Sequence, residues 1–123
     1  MDWEQARVFS WIDGILSRPL PTGAAALCLN LYDDGDGQWS AELVGTNSFD
    51  ADDPDWACDE LFALREQTLC FTWNTTWDEV LAQVIADIKT YLETGPHRDM
   101  LKRFRAVAVG FVDGDLETVY LAD

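Results

Sequence analysis

The sequence predicts a single α+β domain in which a mostly antiparallel sheet of about five strands packs against an N-terminal helix and a long central helix. Three observations lead to this prediction: a strong helical repeat over residues 77–94, two hairpin-like pairs of alternating stretches, and one further β-rich stretch. Helices and antiparallel hairpins in this order are typical of α+β domains. At 123 residues, the chain is long enough to bury its own core.

The first two elements are a helix and a hairpin. Residues 2–18 carry an apolar stripe at helical spacing, Asp2 is placed to cap the helix, and Pro19 ends it. Residues 25–32 and 38–45 each alternate in polarity, and the segment DDGDG between them is typical of a hairpin loop. The residues expected to face the core from this hairpin are Leu27, Leu29, Leu31, Trp39, Ala41 and Leu43.

The middle of the chain predicts a short helix and a third strand. Asp53 and Pro54 form a typical helix start, because proline is favoured at the first helical position, and apolar residues follow at helical spacing. We therefore expect a helix over 54–65. The β-rich stretch TLCFTW predicts a strand over 68–73.

The strongest prediction is the helix over residues 77–94, where apolar residues recur at the helical period. Thr76 and Glu79 have the spacing of a capping box at its start. A Gly-Pro pair follows its last residue and is typical of a helix end. We expect this helix to be the main core element.

A shorter helix over 97–103 and a second hairpin complete the domain. The hairpin strands are 105–112 and 116–122, with an Asp-Gly turn signal between them. Five of the six tryptophans fall on faces that the predicted elements turn inward, and we expect them in the core: Trp3, Trp11, Trp39, Trp73 and Trp77.

Charge limits the classes of partner that the protein can have. The formal net charge is −15, which disfavours direct binding to nucleic acid or to anionic membranes, since both would repel it. The same charge favours capture of a basic protein. Residues 19–64 contain ten acids and no lysine or arginine, whereas five of the eight basic residues lie between Lys89 and Arg105.

No targeting or membrane segment is expected. The chain has no apolar run of 18 residues, and its acidic, periodic N-terminus does not resemble a secretory signal. The cysteines Cys28, Cys58 and Cys70 are odd in number and form no CxxC pair, so we expect reduced, mostly buried thiols. These features predict a cytoplasmic protein that does not contact a membrane.

The segment SFDADDPDWACDE, residues 48–60, holds six acids and no base. Its spacing does not match a calcium-binding EF-hand loop, because a count from Asp50 puts Pro54 and Leu61 at positions where the loop needs oxygen ligands. No hydrolase, P-loop or dinucleotide motif occurs, and the one histidine, His97, follows a helix end. We therefore predict no catalytic residue, no metal ligand and no cofactor, and a divalent-metal site of a geometry other than the EF-hand stays open as an alternative for the acidic segment.

Two interpretations of this acidic segment remain open. Asp53 and Asp55 suit a helix N-terminus, and the other acids could face only water. Alternatively, the acids form a binding surface for a basic protein, with Trp56 as its anchor. Trp56 could equally pack in the core beneath the short helix. Under the binding interpretation, the contact residues are Asp50, Asp52, Asp55, Trp56, Asp59 and Glu60, extended by Asp33, Asp34 and Asp36 at the tip of the first hairpin.

In overall character the chain resembles the immunity proteins of bacterial polymorphic-toxin and contact-dependent-inhibition systems. The stretches YDDGDGQWSAELVGT and FDADDPDWACDELF carry this resemblance. It implies a non-enzymatic protein that binds one cognate toxin domain in the cytoplasm, often a basic nuclease, and blocks its active site or an essential surface. An acidic face would then take the place of the phosphates that the toxin normally holds.

Two other functions are compatible with the sequence. A pocket beside the sheet could make the chain a small ligand-binding or enzymatic domain. No convergent set of polar residues marks such a pocket, so a small-molecule ligand is not favoured. The chain could also be an adaptor module that dimerises through the edge of a hairpin.

Overall fold

The structure, a computed structural model, describes residues 5–112, 114 and 116–122 and confirms the predicted α+β fold. Within these residues it contains three α-helices and a six-stranded, mostly antiparallel sheet. The predicted cap Asp2 and the predicted core residue Trp3 lie outside the described residues. The helices are α1 (Gln5–Leu16), α2 (Trp77–Thr94) and α3 (Arg98–Leu101), and the strands are β1 (Ala26–Gly35), β2 (Gln38–Thr46), β3 (Glu60–Ala63), β4 (Leu69–Thr72), β5 (Ala106–Phe111) and β6 (Glu117–Leu121).

The sheet is built from the two predicted hairpins, which meet along a parallel pair of strands. Its order is β3-β2-β1-β5-β6, and β4 also pairs with β2. Strands β1 and β5 run parallel, from Ala26 opposite Ala106 to Leu31 opposite Phe111. The other strand pairs are antiparallel. A parallel pair needs a long crossover, and the segment from β2 to α3 provides it.

The predicted helix over 54–65 is wrong for most of its length. Pro54–Cys58 form a short 3₁₀ helix, and Glu60–Ala63 then form β3, which pairs with the end of β2. The start was predicted correctly, because the Asp53 side chain accepts a hydrogen bond at 3.0 Å from a backbone N–H two residues later. The helix does not continue, since pairing with β2 satisfies the backbone of this segment. Leu61, on the expected apolar stripe, is 41% exposed.

The main core lies between the sheet and the helices α1 and α2. Leucines at alternate positions of β1 meet apolar side chains that recur along both helices, as their periodicity predicts. Burial of each large apolar side chain contributes roughly 1.5–3 kcal/mol. Tyr91 joins the two helices, because its hydroxyl donates to Asp13 at 2.8 Å and its ring lies 4.8 Å from that of Phe9.

The first hairpin closes through the tight turn that its Asp-Gly sequence predicts. Asp36 and Gly37 both have positive φ, 55° and 75°, as a two-residue hairpin turn of this type requires. Gly35, with a φ of 87°, lies at a register shift where the strand bulges. The turn therefore holds Asp34 and Asp36 at the extreme end of the sheet.

The start of α2 differs from the predicted capping box. Thr76 makes no side-chain hydrogen bond to the helix backbone. Instead, the hydroxyl of Thr75 donates to the Glu79 carboxylate at 2.5 Å. Glu79 is therefore bonded to Thr75, one residue before the Thr76 that the spacing of a capping box indicates.

The tryptophans follow the prediction with one exception among the described residues. Trp39 is buried, and Trp11 and Trp73 are partly buried against the main core. Trp77 was expected in the core and is 58% exposed. It is the first residue of α2 and packs on Phe111, the last residue of β5, so it covers the end of the sheet rather than its middle.

Candidate partner-binding surface

The predicted contact residues lie at two opposite ends of the sheet. Strand β2 runs from the first hairpin turn to the acidic segment that begins after Thr46, and its nine residues span about 30 Å. We call the end that holds Asp33, Asp34 and Asp36 the hairpin end, and the end that holds residues 48–60 the loop end. The expectation that the two groups form one surface is wrong, because the length of the sheet separates them.

At the loop end, Trp56 is a core residue rather than an exposed anchor. It is 7% exposed, and its ring lies 5.0 Å from that of Phe49. The two rings cover the sheet face that is turned away from α1 and α2. The strand residues in this second cluster are all small: Ala26, Cys28, Ala106 and Ala108. Because these side chains are small, the sheet has room for a tryptophan there.

Several acids at the loop end stabilise the loop itself. Asp59 accepts hydrogen bonds from the Asn47 side-chain amide at 3.1 Å and from the Ser48 hydroxyl at 2.9 Å. Asp50 accepts one at 2.9 Å from a backbone N–H two residues later, and Asp53 accepts one in the same way. These carboxylates therefore have a structural explanation that needs no partner.

The loop end also contains bases. Glu60 pairs with Arg65 at 3.0 Å. The guanidinium of Arg105 lies 5.7 Å from the centre of an aromatic ring of the loop. Asp52 and Asp55 are exposed and make no side-chain hydrogen bond or ion pair with the described residues. The loop end is therefore mixed in charge, although the sequence of residues 48–60 has no base.

The hairpin end carries the exposed aromatic residue that the loop end lacks. Trp77 packs edge-to-face on Phe111, with ring centres 6.1 Å apart and 89° between the ring planes. Phe111 lies opposite Leu31 in the sheet and packs in turn on the buried ring of Trp39, 5.9 Å away. Three rings thus form a row from the core to the surface, and this row holds Trp77 in place while most of it remains exposed.

A groove of ≈ 780 Å³ lies beside Trp77, between α2, β1 and β5. None of the described residues that line it is a lysine or an arginine, whereas Arg7 lines a separate depression that also touches Asp34. The groove therefore joins apolar surface to negative charge. Its apolar lining comes from Leu31, Trp77, Leu81, Phe111 and Val112, and its polar lining from Tyr32, Asp33 and Asp34.

The carboxylates in and next to this groove differ in their hydrogen bonds. Asp34 and Asp36 are exposed and make no side-chain hydrogen bond or ion pair within the part of the chain that the structure describes. Asp33 accepts a hydrogen bond at 3.0 Å from the backbone N–H two residues later. Asp78 follows the exposed tryptophan directly, and a hydrogen bond with Thr76 lowers the pKa of its carboxyl group, which is therefore ionised at neutral pH.

A hydrogen bond to a buried glutamate fixes the half-buried Tyr32 at the rim of the groove. Its hydroxyl donates to Glu42, which is itself buried and lies 3.8 Å from Nε of Arg65. Burial, and then this hydrogen bond, raises the pKa of Tyr32 to about 12, so the phenol is neutral at physiological pH. Sequence reasoning did not identify Glu42, because a glutamate that alternates with apolar strand residues is expected to face water.

Trp77 and Val112 are the surface residues that sequence reasoning missed. Trp77 continues the apolar stripe of α2, and that spacing indicates burial. A contrary signal was present, because two acids follow it directly in the first turn of the helix. Val112 is 48% exposed and comes just after β5, where an Asp-Gly turn signal begins.

The cysteines and acids of the described part of the chain bear on the predictions of no metal ligand and of buried thiols. There, no group of three or more His, Cys, Asp or Glu side chains is placed to hold a metal ion. All three cysteines are free, but Cys58 and Cys70 are exposed, so the prediction of mostly buried thiols is wrong for them. Burial, and then the proximity of Cys58, raises the pKa of Cys28 to about 12, so this thiol is neutral at physiological pH.

Comparisons with family models, curated proteins and solved structures found no match to this chain. In the part of the chain that the structure describes, no helix combines the length and apolar character needed to cross a membrane. The function is therefore inferred from the geometry and the charge of the surface.

Proposed function

We propose that this protein is a non-enzymatic inhibitor of the immunity-protein type, which captures a basic protein partner at the hairpin end and acts in the cytoplasm. One observation carries the proposal: an exposed tryptophan, supported by two further rings, lies beside a groove whose described lining contains carboxylates and no lysine or arginine. Tryptophan is enriched among binding hot spots. Negative charge around such an anchor favours a partner of opposite sign.

The charge of the whole molecule supports capture at a distance. A formal net charge of −15 attracts a basic surface and raises the association rate, most strongly at low salt. At the loop end, Asp59 is used in the hydrogen bonds of the loop and Glu60 pairs with Arg65. We therefore assign the contact to the hairpin end, where Asp34 and Asp36 have no such bonds to the described residues.

The chemistry of the groove favours an arginine or lysine side chain of the partner as the group that enters it. The aliphatic stem of such a side chain would cover Leu81 and Val112, while its cation lies against the indole of Trp77 and beside Asp34. On a nuclease partner, this side chain would be one that normally holds a phosphate of the substrate. The carboxylate of the inhibitor would then replace that phosphate.

The proposal can be tested with a basic toxin domain encoded by a neighbouring gene. We compare the variant Asp34→Lys/Asp36→Lys with the control Asp52→Lys/Asp55→Lys, which makes the same charge change on exposed residues of the loop end. We expect the hairpin variant to bind the domain at least ~10-fold more weakly, equivalent to ~1.4 kcal/mol. It should also fail to protect cells that produce the toxin domain, whereas the control should still protect them.

Other outcomes would contradict parts of this proposal. Equal weakening by both variants would show that only net charge matters, and weakening by the control alone would move the contact to the loop end. If the wild-type protein neither binds the domain nor protects the cells, the inhibitor function itself is wrong for this partner.

A further inference from the structure

A second pocket, at the end of α1, differs in charge from the rest of the molecule. It lies between the loop Ser17–Ala24 and the segment that contains α3, and its volume is ≈ 630 Å³. Leu16 is a buried core residue in its lining, and Leu20, Met100 and Phe104 are partly buried against the same core. The apolar part of the pocket is therefore fixed by the packing of the domain.

No carboxylate is found among the described residues that line this pocket, although 23 of the 123 residues of the chain are acidic. Its charged and titratable lining consists of Arg18, His97 and Arg103. Three other depressions lined by described residues each have at least one carboxylate, Asp34 in two of them and Asp78 in the third. The charged side chains that line this pocket are therefore positive, whereas the protein as a whole is strongly negative.

The two arginines are not engaged by acids of the described chain. Arg18 and Arg103 are exposed and form no ion pair there, whereas Arg65 pairs with two glutamates and Arg98 donates to the Gly95 carbonyl at 2.9 Å. Their guanidinium groups are therefore available beside an apolar surface. A ligand with a carboxylate could supply the missing partner.

The loop that carries one of these arginines is restrained before any ligand arrives. Pro19 and Pro21 fix their own φ angles, and the Arg18 N–H donates to the Ile15 carbonyl at 3.3 Å. A restrained loop loses less conformational entropy when a ligand binds.

We propose that this pocket binds a small organic anion, with a carboxylate held by Arg18 and Arg103 and an apolar body packed over Leu20 and Phe104. Guanidinium groups pair with carboxylates through two parallel hydrogen bonds, and the apolar body gains from burial. The volume lies within the range of about 300–1,000 Å³ that is typical of small-molecule pockets. The site does not rest on the proposed inhibitor function, because α2 separates it from the Trp77 groove by about 27 Å.

The test uses octanoate as the probe and octanol as its uncharged equivalent, both titrated calorimetrically at low salt. We expect octanoate to bind the wild-type protein at least ~10-fold more tightly than octanol does, and its addition to shift the NMR signal of the Met100 methyl group. The variant Arg18→Gln/Arg103→Gln should lose this preference. The control Lys89→Gln/Lys102→Gln removes the same charge from residues outside the lining and should keep it.

Several results would overturn the proposal. They are a failure of octanoate to bind, equal affinity for octanoate and octanol, an unchanged preference in the arginine variant, and equal loss of preference in the lysine control. Thermal unfolding of both variants shows whether they are folded. If the double arginine variant is unfolded, Arg103→Gln alone should reduce the preference, and an unchanged preference in that variant also overturns the proposal.

Discussion

Trp56 and Trp77 have similar sequence surroundings and opposite positions in the fold. Each lies next to at least one aspartate, yet the first is 7% exposed and the second is 58% exposed. The difference comes from the strand residues that each one meets. Trp56 packs over small side chains such as Ala106 and Ala108, which leave room for it, whereas Trp77 meets the large ring of Phe111 at the end of β5. The facing strand, rather than the neighbouring acids, decides which tryptophan is buried.

The carboxylates at the two ends differ in the same way. At the loop end, Asp59 holds two neighbouring side chains, and Glu60 pairs with Arg65. At the hairpin end, Asp34 and Asp36 have no side-chain bonds to the described residues. Acids that are dense in sequence can therefore be structural, while a few acids on a tight turn remain available to a partner.

The largest expected difference between the two ends concerns stability. We expect Trp56→Ala to lower the free energy of unfolding by ~3–5 kcal/mol, since it leaves a cavity between Phe49 and the sheet. Trp77→Ala should lower it by only ~0.5–1.5 kcal/mol, because the side chain is mostly exposed and loses one edge-to-face ring contact. Urea denaturation of both variants measures the difference. Similar losses in the two variants would mean that Trp77 is a core residue in solution.

For affinity to the basic partner, we expect Trp77 to matter more than Trp56, which is the reverse of their order for stability. We expect Trp77→Ala to weaken affinity for the basic partner at least ~30-fold, as loss of a hot spot of ~2 kcal/mol would do. Leu121→Ala is the matched control, because Leu121 is also exposed and apolar but does not line the groove. Calorimetric titration of both variants measures the effect. An unchanged affinity in Trp77→Ala would remove the groove from the interface.

A smaller effect separates two acids of the loop end. We expect Asp59→Ala to destabilise the protein by ~1 kcal/mol, because Asn47 and Ser48 lose their shared hydrogen-bond acceptor, although the site is exposed. Asp52→Ala should be neutral within ~0.5 kcal/mol, since its carboxylate bonds to no described residue. Urea midpoints at neutral pH test this pair. A neutral Asp59→Ala would mean that the loop acids are not structural.

The smallest expected effect is a pH dependence that involves Tyr32. Its pKa is about 12 in the folded protein, above its ordinary value of 10.0, so folding favours the neutral phenol. This stabilisation is present below pH 10 and is lost as the pH rises through 12. Tyr32→Phe should therefore show a shallower fall in urea midpoint between pH 10 and 12, with a remainder from Tyr91 and Cys28, whose pKa values burial likewise raises to about 12. Identical pH profiles would show that Tyr32 titrates normally.

Much of the fold could be predicted because most elements carry their own signals. The helical period of α2, the Asp-Gly turn of the first hairpin and the alternation of β1 each depend on residues close in sequence. The strand β3 could not be predicted, because its pairing with the distant edge of β2 overrides the helical spacing after Pro54. The spacing of apolar residues predicts an element correctly only where no strand from elsewhere in the sequence forms hydrogen bonds with the same backbone.

The candidate site was harder to predict, since it depends on which ends of elements meet. The sequence indicated that Asp34 and Asp36 were surface acids, and the tight turn explains why. It left Trp56 open between surface and core and placed Trp77 in the core, whereas the structure buries Trp56 and exposes most of Trp77. One signal was available, because Ala26 and Cys28 alternate with leucines where polar residues would be expected on an open face. Small apolar residues in those positions indicate that another element covers them.

The parallel pairing of β1 with β5 has a consequence for how the chain acquires its structure. Ala26 pairs with Ala106, so the centre of the sheet joins segments that are far apart in sequence. Such contacts slow folding, because a long loop must close before they form. A ribosome must therefore synthesise β5 before β1 can pair with it, and until then the backbone N–H and C=O groups along that edge of β1 are available to chaperones or to aggregation.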